Sequence, residues 1–168
     1  MTFQHIVDLI ASLPEVGEWL ELATVFERAG DTPRPDWELP LLACEAAGGT
    51  RTEALPLAAA VACLQLSIIL VDDILDDYPR GAHIRYGTGP AANMALAYDA
   101  LAPRLVNAAS LDQNRKLAIT ATIAEVGLKT AVGQHLDVQN LAGESNYWRV
   151  VAAKSPPFYG GPLKVGAL

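Results

Sequence analysis

Eighteen consecutive residues, Ala54 to Val71, carry no charged side chain, and the next six read Asp72-Asp73-Ile74-Leu75-Asp76-Asp77. An uncharged run of that length folds as a helix, either inside a bundle or across a membrane. The acidic segment after it is harder to place. If the helix continues, Asp72 and Asp76 fall about 40° apart around the axis and roughly 6 Å along it. Asp73 and Asp77 make a second such pair on the neighbouring face. Like charges at this spacing repel, and they stand at the end of the run, where the helix dipole favours cations. A solvated helix end is the bland reading. The sharper one is that the four carboxylates have a counter-ion, and clustered carboxylate oxygens suit a hard divalent cation such as magnesium.

The membrane alternative is met by three features of the run. Pro56 lies near its start, Gln65 and Ser67 interrupt it, and it is rich in alanine rather than leucine. No basic cluster flanks either end to set an orientation. The run is therefore expected as a core helix surrounded by others. With 51% hydrophobic residues and few strand-type runs, the chain reads as all-α, and 168 residues fit a single helical domain over 1–168. The net charge of −7 argues against a nucleic-acid surface. Cys44 and Cys63, nineteen positions apart with no Cys-x-x-Cys or His/Cys cluster, read as free thiols in a reducing compartment. The start MTFQHIVDLI lacks the basic segment and cleavage site of a secretory signal. A cytoplasmic location is the expectation.

Apolar spacing predicts a helix over Phe3–Ser12 and a second opened by Pro14 and running to about Arg28. Residues Gly30–Pro40 form a proline-rich connector. A short helix over Leu41–Ala47 stops at Gly48-Gly49, and Thr50 or Thr52 caps the central helix, which continues to about Tyr78. A loop holding Arg80, Arg85, Gly87 and Gly89 leads to a helix over about Ala91–Ala109, interrupted or bent at Pro103. Ser110 is expected to cap a helix from Leu111 to about Leu141. Asn146–Ala153 reads as helical, with Pro156-Pro157 and Gly160-Gly161 disturbing the tail. Each polar candidate has a plain structural reading beside any functional one. Arg80 and Arg85 serve as surface partners of the aspartates, Gln134 as a satisfied core amide, His135 as structural, and Lys154 as a complement to a helix dipole.

The Asp72–Asp77 segment, closing an apolar helix, resembles the first aspartate-rich motif of the trans-isoprenyl diphosphate synthases, the polyprenyl synthetase family. Four further matches fall in the family's order. Glu45-Ala46-Ala47-Gly48-Gly49 is similar to the end of an early helix, and Arg80-Gly81 stands where the family has Arg-Arg-Gly. Gly133-Gln134-His135-Leu136-Asp137 resembles its Gly-Gln-x-x-Asp element, and Lys154-Ser155 its Lys-Thr pair. The resemblance covers about Glu45 to Leu168. It implies an all-α helical bundle of the isoprenoid synthase type whose cavity holds an allylic diphosphate. Mg2+ would bridge that diphosphate to Asp72 and Asp76, with Asp73 and Asp77 in support. Lys154 and Arg80 would add positive charge to the diphosphate, and Gln134 and Asp137 would line the site. The chemistry is coherent: metal-bound carboxylates stabilise a pyrophosphate leaving group, and an apolar pocket shields the allylic cation from water. Ser67 and Ile68, one turn before the aspartates, would face the hydrocarbon tail. In the family an aromatic residue there keeps products short. Neither is aromatic here, so a deeper pocket and a longer prenyl chain are expected, and Ser67→Phe should shorten the product.

The family pattern is departed from at three places. There is no second aspartate cluster, and such bundles run to roughly twice this length, so the chain reads as the N-terminal portion of an incomplete bundle. The early basic element that holds the second substrate is reduced to Arg34-Pro35, followed by Asp36 and Glu38. Arg-Arg-Gly has become Pro79-Arg80-Gly81. The leading expectation is a magnesium-dependent prenyltransferase that condenses an allylic diphosphate with isopentenyl diphosphate. The two changes on the second substrate's side keep a class I terpene cyclase or a diphosphate hydrolase open, and the missing motif keeps open a non-catalytic partner subunit. Either a homodimer or a complementing chain would cover the apolar faces of such a bundle.

Overall fold

The computed structural model describes residues 3–31 and 34–168; Thr32 and Pro33, inside the expected Gly30–Pro40 connector, lie outside them. The elements in order are α1 Phe3–Ala11, α2 Pro14–Gly17, α3 Leu20–Gly30, a 3-10 turn Pro35–Glu38, α4 Leu39–Ala46, α5 Arg51–Leu75, α6 Ala82–Tyr86, α7 Thr88–Ala108, α8 Gln113–Val138 and α9 Glu144–Ala167. No strand occurs among the described residues.

The start of α5 is fixed by two adjoining devices. Gly48 adopts φ +92° and closes α4, with the Gly48 N–H donating to the Glu45 carbonyl (3.0 Å) and the Gly49 N–H to that of Cys44 (2.9 Å). This double hydrogen bond is the Schellman closure that left-handed glycine permits. One residue on, the Thr50 hydroxyl accepts the Glu53 N–H (3.3 Å) while the Glu53 carboxylate accepts the Thr50 N–H (2.9 Å). That reciprocal box selects Thr50, not Thr52, as the cap. Arg51 then ties the corner to Glu45 at 2.8 Å and Glu38 at 3.6 Å.

From this start α5 runs through the middle of the molecule, touching α1, α4, α6, α7, α8 and α9. Ala58, Ala59, Ala60 and Ala62 are all fully buried on it. Their small side chains let α7 approach closely, and α7 answers with buried Ala91, Ala95 and Ala102. By length and composition α5 could cross a membrane, yet 72% of its most apolar stretch is buried inside the protein. It is the core helix. A second core region holds the amino end: Trp37, fully buried, stacks between Phe3 and Phe26 with ring centroids 5.4 Å apart in both pairs. The Tyr98 hydroxyl donates to the Leu22 carbonyl at 2.6 Å and fastens α7 to α3.

Several boundaries differ from those expected of the sequence. The single helix expected from Pro14 to Arg28 is two, because Trp19 leaves helical geometry (φ −118°, ψ 89°) and α3 restarts after it. The third long helix is capped by Asp112, not Ser110: its carboxylate accepts the N–H groups of Asn114 (2.9 Å) and Arg115 (3.0 Å). Arg85 lies in the short helix α6 and Gly89 in the first turn of α7, not in an open loop. The tail is not broken by its prolines: α9 continues through Pro156, Pro157 and Pro162 to Ala167.

Candidate active site

The acidic segment itself ends α5. Leu75 is the last helical residue, Asp76 the cap, and Asp77 takes φ +48°, a left-handed conformation that aspartate tolerates better than most side chains. The Asp77 N–H reaches the Ile74 carbonyl (3.4 Å) and the Tyr78 N–H that of Asp73 (2.9 Å), the same closure as in α4 but with an aspartate in place of glycine. The expected continuation to Tyr78 does not occur, and the expected Asp73/Asp77 helical pair does not form. Asp77 turns to solvent and meets Nε2 of the buried His83 at 3.4 Å. Asp72 and Asp76 remain one helical turn apart, with the Asp76 N–H donating to the Asp72 carbonyl at 2.9 Å.

Asp72 and Asp76 face α8 and α9. The Lys154 ammonium lies 3.0 Å from Asp72 Oδ1 and 2.8 Å from Asp137 Oδ2, bridging α5, α8 and α9. Partial burial alone would lower its pKa, but the hydrogen bonds and charge of Asp137 and Asp72 outweigh that and hold it above the usual lysine value. Gln134 Nε2 reaches Asp76 Oδ1 at 3.4 Å, and its Oε1 is buried with no partner among the described residues. Gly133 is what allows α9 so near: a Cβ there would meet Lys154 Cγ at 2.8 Å and Ala153 Cβ at 2.9 Å. Two cavities open beside Asp72. One, of about 200 Å³, is lined by Leu64, Ser67, Ile68, Val71, Asp99 and Gln134. The other, of about 230 Å³, is lined by Ile68, Ile69, Lys154, Ser155, Phe158 and Tyr159. Ser67 and Ile68 thus line apolar space contiguous with Asp72.

The opposite flank has the opposite charge. Asp73 lines a cavity of about 210 Å³ together with Arg28, Arg34, Arg80 and Arg85, over an apolar floor of Val25, Leu66 and Leu70. Burial, followed by the charges of Asp72 and Asp76, raises the Asp73 pKa. Among the described residues none of the four arginines makes an ion pair with a carboxylate. Arg80 donates to the Tyr78 hydroxyl (Nε, 3.0 Å), and Arg34 to the Ala29 carbonyl (3.3 Å) while lying over the Trp37 ring. The family resemblance assigns Arg80 and Lys154 to one diphosphate; the structure puts them in two different cavities that adjoin at Ile69 of α5. Arg28 and Arg85 are not among the site residues expected from the sequence. Arg28 belongs to no motif in the sequence, and only the fold brings it beside Arg34, Arg80 and Arg85.

Among the described residues no three His, Cys, Asp or Glu side chains come together as a ready-made metal centre. The two-carboxylate arrangement of Asp72 and Asp76 nevertheless fits magnesium, which is commonly held by one or two carboxylates with substrate phosphates and water completing its shell.

A long uncharged helix ending in carboxylates, faced by Lys154 and Gln134 and enclosed by helices alone, defines an isoprenoid-synthase-type bundle. The chain belongs to the polyprenyl synthetase family, whose model matches residues 23–168. No curated sequence gives a match. Among solved structures, a geranylgeranyl pyrophosphate synthetase from the archaeon Geoglobus acetivorans superposes with TM-score 0.80 at 22% identity. Another from Pyrococcus horikoshii Ot3 gives 0.86 at 20%, and a geranylgeranyl pyrophosphate synthase 0.84 at 20%. Each superposition covers 98% of this chain but only 59%, 54% and 52% of the respective partner, so the chain spans between half and three-fifths of their length.

Proposed function

We propose that the protein acts in magnesium-dependent prenyl transfer, ionising an allylic diphosphate and joining its hydrocarbon part to isopentenyl diphosphate. The observation that carries this reading is the pairing of opposite charge on the two flanks of one helix end. Asp72 and Asp76 would hold Mg2+, which when bound supplies charge neutralisation to the departing diphosphate. Lys154, already poised between Asp72 and Asp137, has three donors that can turn from carboxylate to phosphate oxygens. Gln134 would orient Asp76 through its Nε2, and its buried, unpartnered oxygen carries a partial negative charge that would favour a cation developing in the adjoining cavity. The apolar lining at Leu64, Ile68 and Val71 accepts the tail and keeps water away from that cation, with Ser67 beside it.

On the other flank the four guanidiniums of Arg28, Arg34, Arg80 and Arg85 suit a second diphosphate bound without metal, since planar forks of donors match phosphate oxygens. This supports a two-substrate condensation over a one-substrate cyclisation. The side chains Leu96, Leu117, Leu128 and Val132, each at least half exposed on α7 and α8, support association with a second copy or a complementing chain. Cys63 is fully buried with its thiol pKa pushed up by that burial, an inert thiol in keeping with a cytoplasmic location.

The test is product analysis with labelled isopentenyl diphosphate, an allylic diphosphate and magnesium. Lengthened diphosphates support the reading. Hydrocarbon or alcohol released from the allylic substrate alone would establish a cyclase, and activity only with an added second chain would establish a subunit.

A further inference from the structure

Gln65 sits in the middle of the uncharged helix, 1% exposed, a polar side chain in a run that is otherwise almost wholly apolar. Its Nε2 donates to the backbone carbonyl of Phe158 on α9 at 3.1 Å, and its Oε1 is buried with no partner among the described residues. Burying an amide with half its capacity unmet is unfavourable, so packing alone does not account for it. The state of α9 does. Pro156, Pro157 and Pro162 lie inside that helix and lack the N–H groups that would reach the carbonyls of Ala152, Ala153 and Phe158. Lys154 stands in this weakened stretch. Gln65 therefore supplies from α5 the donor that Pro162 cannot.

The positions are in register. Gln65 and Asp72 are two turns apart on α5, on one face, and Phe158 and Lys154 are one turn apart on α9, on one face. The chains run in opposite directions, so Gln65 to Phe158 and Asp72 to Lys154 form two rungs between the same helices. We propose that Gln65 is a positioning residue: its hydrogen bond to the Phe158 carbonyl sets the placement of the proline-weakened α9, and thereby holds the Lys154 ammonium between Asp72 and Asp137. The importance given to Lys154 rests on the function proposed above; the link itself does not.

A double-mutant cycle on the full chain tests it. Pro162→Ala returns an N–H to α9 that can serve the Phe158 carbonyl, making Gln65 dispensable. With 15N-labelled lysine, the Lys154 ammonium signal reports its ion pairs, and amide hydrogen exchange reports α9. In Gln65→Leu the ammonium signal should broaden into solvent exchange, and amides of residues 152–160 should exchange roughly tenfold faster, as loss of one buried hydrogen bond implies. Protection along α7 should hold. Gln65→Leu combined with Pro162→Ala should recover both signals. An unchanged ammonium signal in Gln65→Leu, or one lost equally with proline and with alanine at 162, overturns the proposal. Should Gln65→Leu not fold, recovery of folding by Pro162→Ala supports it, and failure in both backgrounds overturns it. Neither measurement involves metal or diphosphate, so a failure here is distinct from a failure of the proposed function, which is read from products.

Discussion

The two flanks of the α5 terminus both start from its aspartates and resolve their charge in different ways. Toward α8 and α9, two of the carboxylates are already answered: Lys154 bridges Asp72 and Asp137, and Gln134 reaches Asp76. Toward α3 and α6, four arginines share a cavity with Asp73 and have no ion-pair partner among the described residues. The lesson is that the flanks should differ in what they require. A diphosphate on the carboxylate flank needs a metal between like charges, whereas the arginine flank can take one directly.

The strongest way to break this contrast is Asp72→Asn. Metal-dependent pyrophosphate affinity, measured calorimetrically, should fall by at least about a hundredfold, beyond the range seen when only an outer-shell group is lost. Chelation of magnesium should do the same, and neither change should alter metal-free binding. Next comes the double variant Arg28→Ala with Arg80→Ala. It should weaken pyrophosphate binding in the presence of EDTA by about ten- to a hundredfold, as loss of charge-assisted hydrogen bonds implies, and leave the metal-dependent event in place. If both events weaken together, the two flanks are one site.

A smaller effect is expected at Gly133. Its replacement by alanine brings a methyl against Lys154 and Ala153, so overpacking should cost about 1–3 kcal/mol in denaturant unfolding and loosen the lysine bridge. The smallest concerns Asp73. Its folded-state pKa is raised above 3.8, so its contribution to stability is fully present below that value and is lost as pH rises through the raised pKa. Without metal, Asp73→Asn should therefore match the wild type in acid and become the more stable of the two as pH rises to neutrality. The gain should stay below about 1 kcal/mol because the group is partly exposed and screened. Denaturant midpoints across pH check it, and added magnesium should shrink the difference.

Much of this architecture was legible in the sequence where local rules and global fold agree. The uncharged Ala54–Val71 run and the Gly48-Gly49 stop each have one favourable solution and the helix forms as they direct, while the choice of Thr50 over Thr52 as cap came from the reciprocal bond with Glu53. Legibility failed where tertiary contacts overrode local preference. Prolines in α9 read as breaks, because the sequence does not reveal that a glutamine 93 positions away satisfies the carbonyl left by Pro162. Asp77 read as a partner of Asp73, because nothing local states that the chain will turn left-handed at an aspartate. Within the candidate site, Asp72, Asp76, Gln134, Asp137 and Lys154 come together in space. Arg28 does not belong to any motif and becomes visible only because α3 and α6 line one cavity.

The most direct test is a crystal structure of the protein with magnesium and pyrophosphate. The account predicts two bound anions: one bridged through metal to Asp72 and Asp76 with Lys154 turned onto it, and one held without metal by Arg28, Arg34, Arg80 and Arg85. Aspartates free of metal at saturating magnesium, with Asp72 still paired only to Lys154, would contradict it.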